Sequence, residues 1–212
     1  MILYRLLDAS GYRPAARALF RMEIAGRERI PAEGPCILVA NHESVIDPFV
    51  LGLATPRFVR YMAKAELWRS AAVRTVMEGF GAFPVERGRG DFDAVGRAGR
   101  LLAEGEVLGV FGQGTYLPFR RRPFMRGAAR LALETGSPIV PVALVGTEQA
   151  VRPHRLKLGL PRIRVLVARP FDVPKTRPTV AAARDLTRRV EEAIAELRRP
   201  YGEPRHAWIE DA

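Results

Sequence analysis

The chain has 212 residues, 48% of them hydrophobic, and a formal charge of +11 from 34 Lys and Arg against 23 Asp and Glu. That length suits one large domain, the apolar content argues against wholesale disorder, and the cationic excess favours an anionic partner: nucleic acid, an acidic membrane surface or a phosphorylated substrate. A single cysteine, Cys36, excludes an intramolecular disulfide and a four-cysteine zinc site, and no run approaches the roughly 18 apolar residues of a membrane-spanning helix.

The opening MILYRLLDASGYRPAARALFRM reads as two short helical pieces broken near Gly11, with Pro14 in the first turn of the second. It lacks the cationic-then-apolar layout of a secretory signal, so membrane contact is expected to be peripheral. Arg13, Arg17 and Arg21 recur every fourth residue as a cationic stripe, beside Leu19, Phe20 and Met22. Two readings fit: a helix lying in a membrane interface with its arginines among lipid phosphates, or an ordinary helix packed on the domain.

After the Pro- and Gly-marked connection ERIPAEGP, CILVA is a continuous apolar run of the kind found in strands covered on both faces, with Cys36 as a small buried residue. Similar runs follow at GAFPV, GEVLGVF, SPIVPVALVG and IRVLVARPF, alternating with helical patterns near residues 48 to 54, 66 to 78, 91 to 104 and 122 to 135. A last helix starts near Pro178, with Val180, Leu186, Val190, Ile194 and Leu197 at helical spacings, and ends before Pro200. The alternation predicts a single α/β domain with a central, mostly parallel or mixed sheet flanked by helices and preceded by an N-terminal amphipathic helical segment. The expected division is 1–22 for that membrane-contact segment, 23–200 for the catalytic domain and 201–212 for a surface tail.

Polar chemistry concentrates in ANHESVID, at residues 40 to 47. His42 and Asp47 would not meet on a regular helix, where a spacing of five turns them roughly 140° apart. Pro48 disfavours helical geometry at Asp47, which reads as the N-cap of DPFVLGLA, and leaves His42 in a turn that can fold back on the carboxylate. Such a pair suits general-base catalysis, in which one ring nitrogen accepts a proton while the carboxylate holds the other protonated. An N-cap aspartate beside a histidine that satisfies loop backbone groups is the structural alternative. His154 and His206 show no metal-ligand spacing with His42, and Ser44 lacks the Gly-x-Ser-x-Gly setting of a nucleophile.

Four stretches in order resemble the blocks of the glycerophospholipid acyltransferases, from about residue 20 to 195: NHESVID the first (Asn-His-x4-Asp), GAFPVERG the second, FGQGTY the third and IVPVAL the fourth. The resemblance implies that His42 deprotonates the acceptor hydroxyl and Asp47 orients it. The nucleophile then attacks a thioester of coenzyme A or acyl carrier protein directly, with no metal and no cofactor beyond that donor. It assigns Asn41, Arg87, Gln113, Gly114, Thr115 and Tyr116 to substrate binding, with the guanidinium of Arg87 on the acceptor phosphate and Arg89 assisting.

The third block departs from Phe-Pro-Glu-Gly-Thr-Arg, having Gln113 for the glutamate and Tyr116 for the arginine. Both changes remove charge from acceptor recognition and leave the His42 chemistry untouched, and Arg120, Arg121, Arg122 and Arg126 downstream can restore phosphate binding. The expected activity is acyl transfer to a lysophospholipid-type hydroxyl, with that of lysophosphatidic acid among the candidates. The alternatives are a non-glycerophosphate acceptor or a catalytically weak or inactive, membrane-associated lipid-binding relative. The expected partners are a membrane lipid surface at the cytoplasmic face, the acyl donor and the lysolipid. Nucleic acid is not expected, since only 8% of residues are aromatic and none interleave with a basic element.

Overall fold

The computed structural model describes residues 11–86, 92–114, 123–152, 157–158 and 160–202. The helices are α1 (Tyr12–Leu19), α2 (Asp47–Ala54), α3 (Ala71–Gly79), α4 (Phe92–Ala103), α5 (Gly127–Thr135) and α6 (Val180–Arg198). The strands are β1 (Glu23–Ala25), β2 (Cys36–Ala40), β3 (Val59–Lys64), β4 (Ala82–Val85), β5 (Val107–Phe111), β6 (Ile139–Val145), β7 (Val151–Arg152), β8 (Lys157–Leu158) and β9 (Arg164–Val167). A seven-stranded sheet runs β1-β9-β6-β2-β5-β3-β4, and β7 and β8 form a separate pair.

Strands β4, β3, β5, β2 and β6 are mutually parallel, so their C-terminal ends share one edge. Strand β9 runs antiparallel to β6 and carries β1 parallel to itself, which makes the sheet mixed. The CILVA run is the central strand β2, buried throughout as a doubly covered parallel strand requires. Its side chains alternate: Ile37 and Val39 join the core beneath α4, α5 and α6, while Cys36, Leu38 and Ala40 join the core beneath α2. Burial pushes the Cys36 thiol up to about 11, so it behaves as the small apolar residue expected of it.

Three features differ from the sequence reading. Strand β3 lies second from one edge although VRYMAK carries no continuous apolar run: only Val59 and Tyr61 of its residues are buried, Arg60, Met62 and Ala63 are partly covered and Lys64 is exposed. Helix α2 begins at Asp47, with Ile46 as its N-cap, because the Asp47 carboxylate is committed backward to the loop before it. Helix α1 turns arginines inward: Arg13 donates to the Thr55 carbonyl at 2.6 Å and Arg17 to that of Leu53, closing carbonyls at the C-terminal end of α2. Arg21 donates to the Leu160 carbonyl. These bonds attach the helix to the domain, while Pro14, Ala15, Ala18 and Leu19 stay exposed. The first helical piece and all but the first two residues of the tail lie outside the described residues.

Arg57 ties the opposite edge, donating to the carbonyls of Pro31 and Gly34 in the connection before β2 and of Gly105 in the connection before β5. Inside the sheet, Gly109 of β5 pairs with Tyr61 of β3. A Cβ at Gly109 would stand 2.6 Å from the Tyr61 ring and 2.8 Å from Val59, so only glycine leaves room for that ring. Gly109→Ala is therefore expected to destabilise the fold by about 1 to 3 kcal/mol through overpacking, read as a lowered urea midpoint; an unchanged midpoint would mean that Tyr61 moves aside freely.

Candidate active site

The shared C-terminal edge of the parallel strands places ANHESVID beyond β2 and FGQG at the end of β5, side by side. The His42 Nδ1 lies 2.8 Å from the Asp47 Oδ2. The same oxygen accepts the backbone N–H groups of Glu43 at 2.7 Å and Ser44 at 2.8 Å. Asp47 is fully buried, while the His42 side chain keeps 14% exposure, so the ring is reachable and its partner is not. A carboxylate offers only lone pairs, hence the bond to His42 is made by Nδ1–H, and the lone pair of the neutral ring sits on Nε2.

The ring is held on its flat side as well. Phe111, the last residue of β5, stacks on His42 with centroids 4.3 Å apart, and Tyr61 lies parallel to Phe111 at 6.3 Å. Tyr61 is buried, which pushes its phenol up, and its hydroxyl donates to the Pro48 carbonyl at 2.8 Å. The column His42–Phe111–Tyr61 thus returns to the residue beside Asp47. A shallow apolar recess lies on the α2 side of Tyr61, lined by Tyr12, Pro48, Phe49, Gly52, Val59 and Phe80.

Asn41 is buried, and its amide bonds both backbone groups of Leu144: Nδ2 donates to the carbonyl at 2.9 Å and Oδ1 accepts the N–H at 2.7 Å. It locks the end of β2 to β6. Gln113 Oε1 accepts the His42 N–H at 2.8 Å. Gly114 has φ +70, donates its N–H to the Phe111 carbonyl, and would bring a Cβ within 2.5 Å of the Met125 sulfur, so the turn after β5 requires glycine. Arg87, Arg89, Thr115, Tyr116 and Arg120 to Arg122 lie outside the described residues. The structure therefore brings together Asn41, His42, Asp47, Gln113 and Gly114.

Two residues the sequence reading missed also meet here. Arg198, at the end of α6, donates to Glu43 Oε1 at 2.9 Å, with side-chain exposures of 18% and 12%. Glu148 follows β6, is buried, and accepts the Gly146 N–H at 3.0 Å. A separation of 155 residues leaves no local signal for the Arg198–Glu43 pair. Burial, and then the Glu43 charge, raise the Glu148 carboxyl above its ordinary value, against the opposing pull of Arg198 and backbone N–H groups.

The fold and this edge define a class: the family model described as Acyltransferase matches residues 21–145, more than half of the chain, and the chain belongs to that family. Among relatives, the 1-acyl-sn-glycerol-3-phosphate acyltransferase of Bacillus subtilis (strain 168) is 30% identical over 126 residues, 59% of this chain and 63% of that protein. The human 1-acyl-sn-glycerol-3-phosphate acyltransferase beta is 30% identical over 131 residues, 58% of this chain and 45% of that protein. The matched stretch thus spans less than two thirds of either relative. The crystal structure of the 1-acyl-sn-glycerophosphate (LPA) acyltransferase PlsC from Thermotoga maritima superposes with a TM-score of 0.70 at 23% identity, covering 90% of this chain and 80% of that one, and shares the fold.

Glu148 gives a pH signature. Its folded-state value lies above the unfolded one of about 4.3, so its stability contribution is complete below that value and is lost as pH rises through the folded one. Glu148→Gln keeps an acceptor for Gly146 and removes that loss. Its melting temperature relative to wild type is expected to rise as pH increases from about 4.3; a gap independent of pH would show that Arg198 fully compensates the buried charge.

Proposed function

We propose that the protein transfers a fatty acyl group from a thioester, acyl-CoA or acyl carrier protein, to a hydroxyl of a lysophospholipid-type acceptor, with lysophosphatidic acid the first acceptor to test. The observation that carries this reading is the 2.8 Å His42–Asp47 pair at the C-terminal edge of the sheet, its carboxylate buried and its imidazole accessible. Asp47 holds Nδ1 protonated, and Nε2 takes the proton of the acceptor hydroxyl. The oxygen attacks the thioester carbonyl, giving a tetrahedral intermediate. Its collapse breaks the C–S bond, and the departing thiolate recovers the proton from His42, which leaves an ester and a free thiol. The relatives' names support lysophosphatidic acid as the acceptor.

Under this proposal Arg87 and Arg89, which follow β4 in the sequence, bind the acceptor phosphate, and Gly114, Thr115 and Tyr116 contribute to acceptor binding. A membrane surface at the cytoplasmic face supplies the lysolipid, contacted by residues 1–22 and by the apolar surface near the site. That surface is exposed: Val45, three residues after His42, is 54% accessible, and α3 buries none of its residues, leaving Val73 and Val76 outward beside Arg69 and Arg74. Among the described residues no helix is long and apolar enough to cross a membrane.

Purified protein supplied with an acyl-CoA and lysophosphatidic acid is expected to form the diacyl product, and His42→Ala to lower that rate by about 10²- to 10⁴-fold. Equal rates in the two proteins would remove His42 as the base. For the membrane contact, replacing Val73 and Val76 together by Asp is expected to reduce sedimentation with phosphatidylglycerol vesicles at an unchanged melting temperature; undiminished sedimentation would move the contact elsewhere.

A further inference from the structure

The third block departs from its family pattern at Gln113, and the geometry gives this residue a job independent of acceptor charge. The last paired residues of β2 and β5 are Ala40 and Phe111, and the Gly112 N–H donates to the Ala40 carbonyl at 2.8 Å. A parallel ladder continued by one rung would send the His42 N–H to the Gly112 carbonyl. That carbonyl is already taken, by the Met125 N–H at 2.8 Å. The His42 N–H goes instead to the Gln113 Oε1, also at 2.8 Å. A side-chain carbonyl stands in for a main-chain one, and the strand stops at Ala40, two residues before the histidine.

The next two amides, of Glu43 and Ser44, are held by the Asp47 Oδ2. Three consecutive N–H groups, on residues 42 to 44, are thus shared between two side chains, each fixed by its own element: Gln113 by the end of β5 and Asp47 by the start of α2. The ring stacked on His42, Phe111, comes from the same strand end as Gln113.

We infer that Gln113 is a positioning residue for His42: its side-chain carbonyl, through the His42 N–H, sets where the imidazole stands relative to Phe111 and Asp47. An amide oxygen and a carboxylate oxygen can both accept this N–H, so glutamine in place of glutamate keeps the placement while removing a charge. The inference rests on His42 being the base of the proposed acyl transfer.

The test pairs Gln113→Met, which keeps the length but has no oxygen acceptor, with Gln113→Glu, which keeps the acceptor. With acyl-CoA and lysophosphatidic acid, Gln113→Met is expected to lower kcat by about 10- to 100-fold with KM for the acceptor held within about twofold. Gln113→Glu is expected to recover kcat to within about threefold of wild type. Exchange of the His42 backbone amide, followed by NMR without any substrate, is expected to quicken by about tenfold in Gln113→Met and to return towards the wild-type rate in Gln113→Glu. A rise in KM at unchanged kcat would overturn the inference in favour of acceptor recognition, and so would an unaltered His42 amide in Gln113→Met. Wild-type protein that transfers no acyl group to any lysolipid would defeat the proposed function instead, and the amide exchange would still decide whether Gln113 holds His42.

Discussion

Everything at the candidate site hangs on one buried oxygen. The Asp47 Oδ2 receives three donors, the imidazole Nδ1–H and the amides of Glu43 and Ser44, all within 2.8 Å. Bonds from N–H groups to a carboxylate are stronger than neutral ones, and leaving such amides unpaired in a buried turn would cost about 1 to 3 kcal/mol each. The turn and the histidine are therefore shaped by the same charge. Because that oxygen also opens α2, the loop cannot relax without shifting a helix that packs across the sheet. Oδ1, by contrast, is buried with no hydrogen-bond partner among the described residues, so the hold is concentrated on a single atom.

The sheet delivers this constraint to a useful place. Five parallel strands end at one edge, and the residues that follow β2 and β5 are the ones that carry polar chemistry. Asn41, the residue after β2, is tied to β6, and His42, the next, is tied by Gln113 to the end of β5, so the histidine leaves the sheet between two side-chain clamps. The Arg198–Glu43 pair adds a third attachment, from the last helix to the residue beside His42. In a half-buried setting such a pair gains from reduced screening, and it makes the C-terminal helix part of the loop's support.

What the sequence reveals follows from how local the physics is. The CILVA run, the helix patterns and the His42–Asp47 spacing are local, and the structure has them where they are expected, with Asp47 one position further into its helix. Strand β3 escapes because a strand near a sheet edge, with Arg60 and Lys64 at its less covered positions, needs no continuous apolar run. The turnabout of β9 escapes because strand direction depends on the connections between elements, which IRVLVARPF does not encode. Asn41 reads as a motif residue, yet its two bonds are to Leu144, 103 positions away. Arg198 and Glu148 have no local pattern to betray them.

The +11 charge shows the same limit from another side. Read as a sum, it asks for an anionic partner. Read residue by residue, much of it is spent inside the fold: Arg13 and Arg17 close the end of α2, Arg57 joins the connections before β2 and β5, Arg29 bonds the Val167 carbonyl and Arg21 that of Leu160. A guanidinium suits this work, since its several N–H groups can gather carbonyls that no backbone donor reaches, and it retains its charge when half buried. Under the proposed membrane contact, the cations that meet an anionic surface are those such as Arg69 and Arg74 beside the outward valines of α3. Net charge therefore counts two populations together, and only placement in the fold separates the arginines that build the domain from those that can meet a ligand.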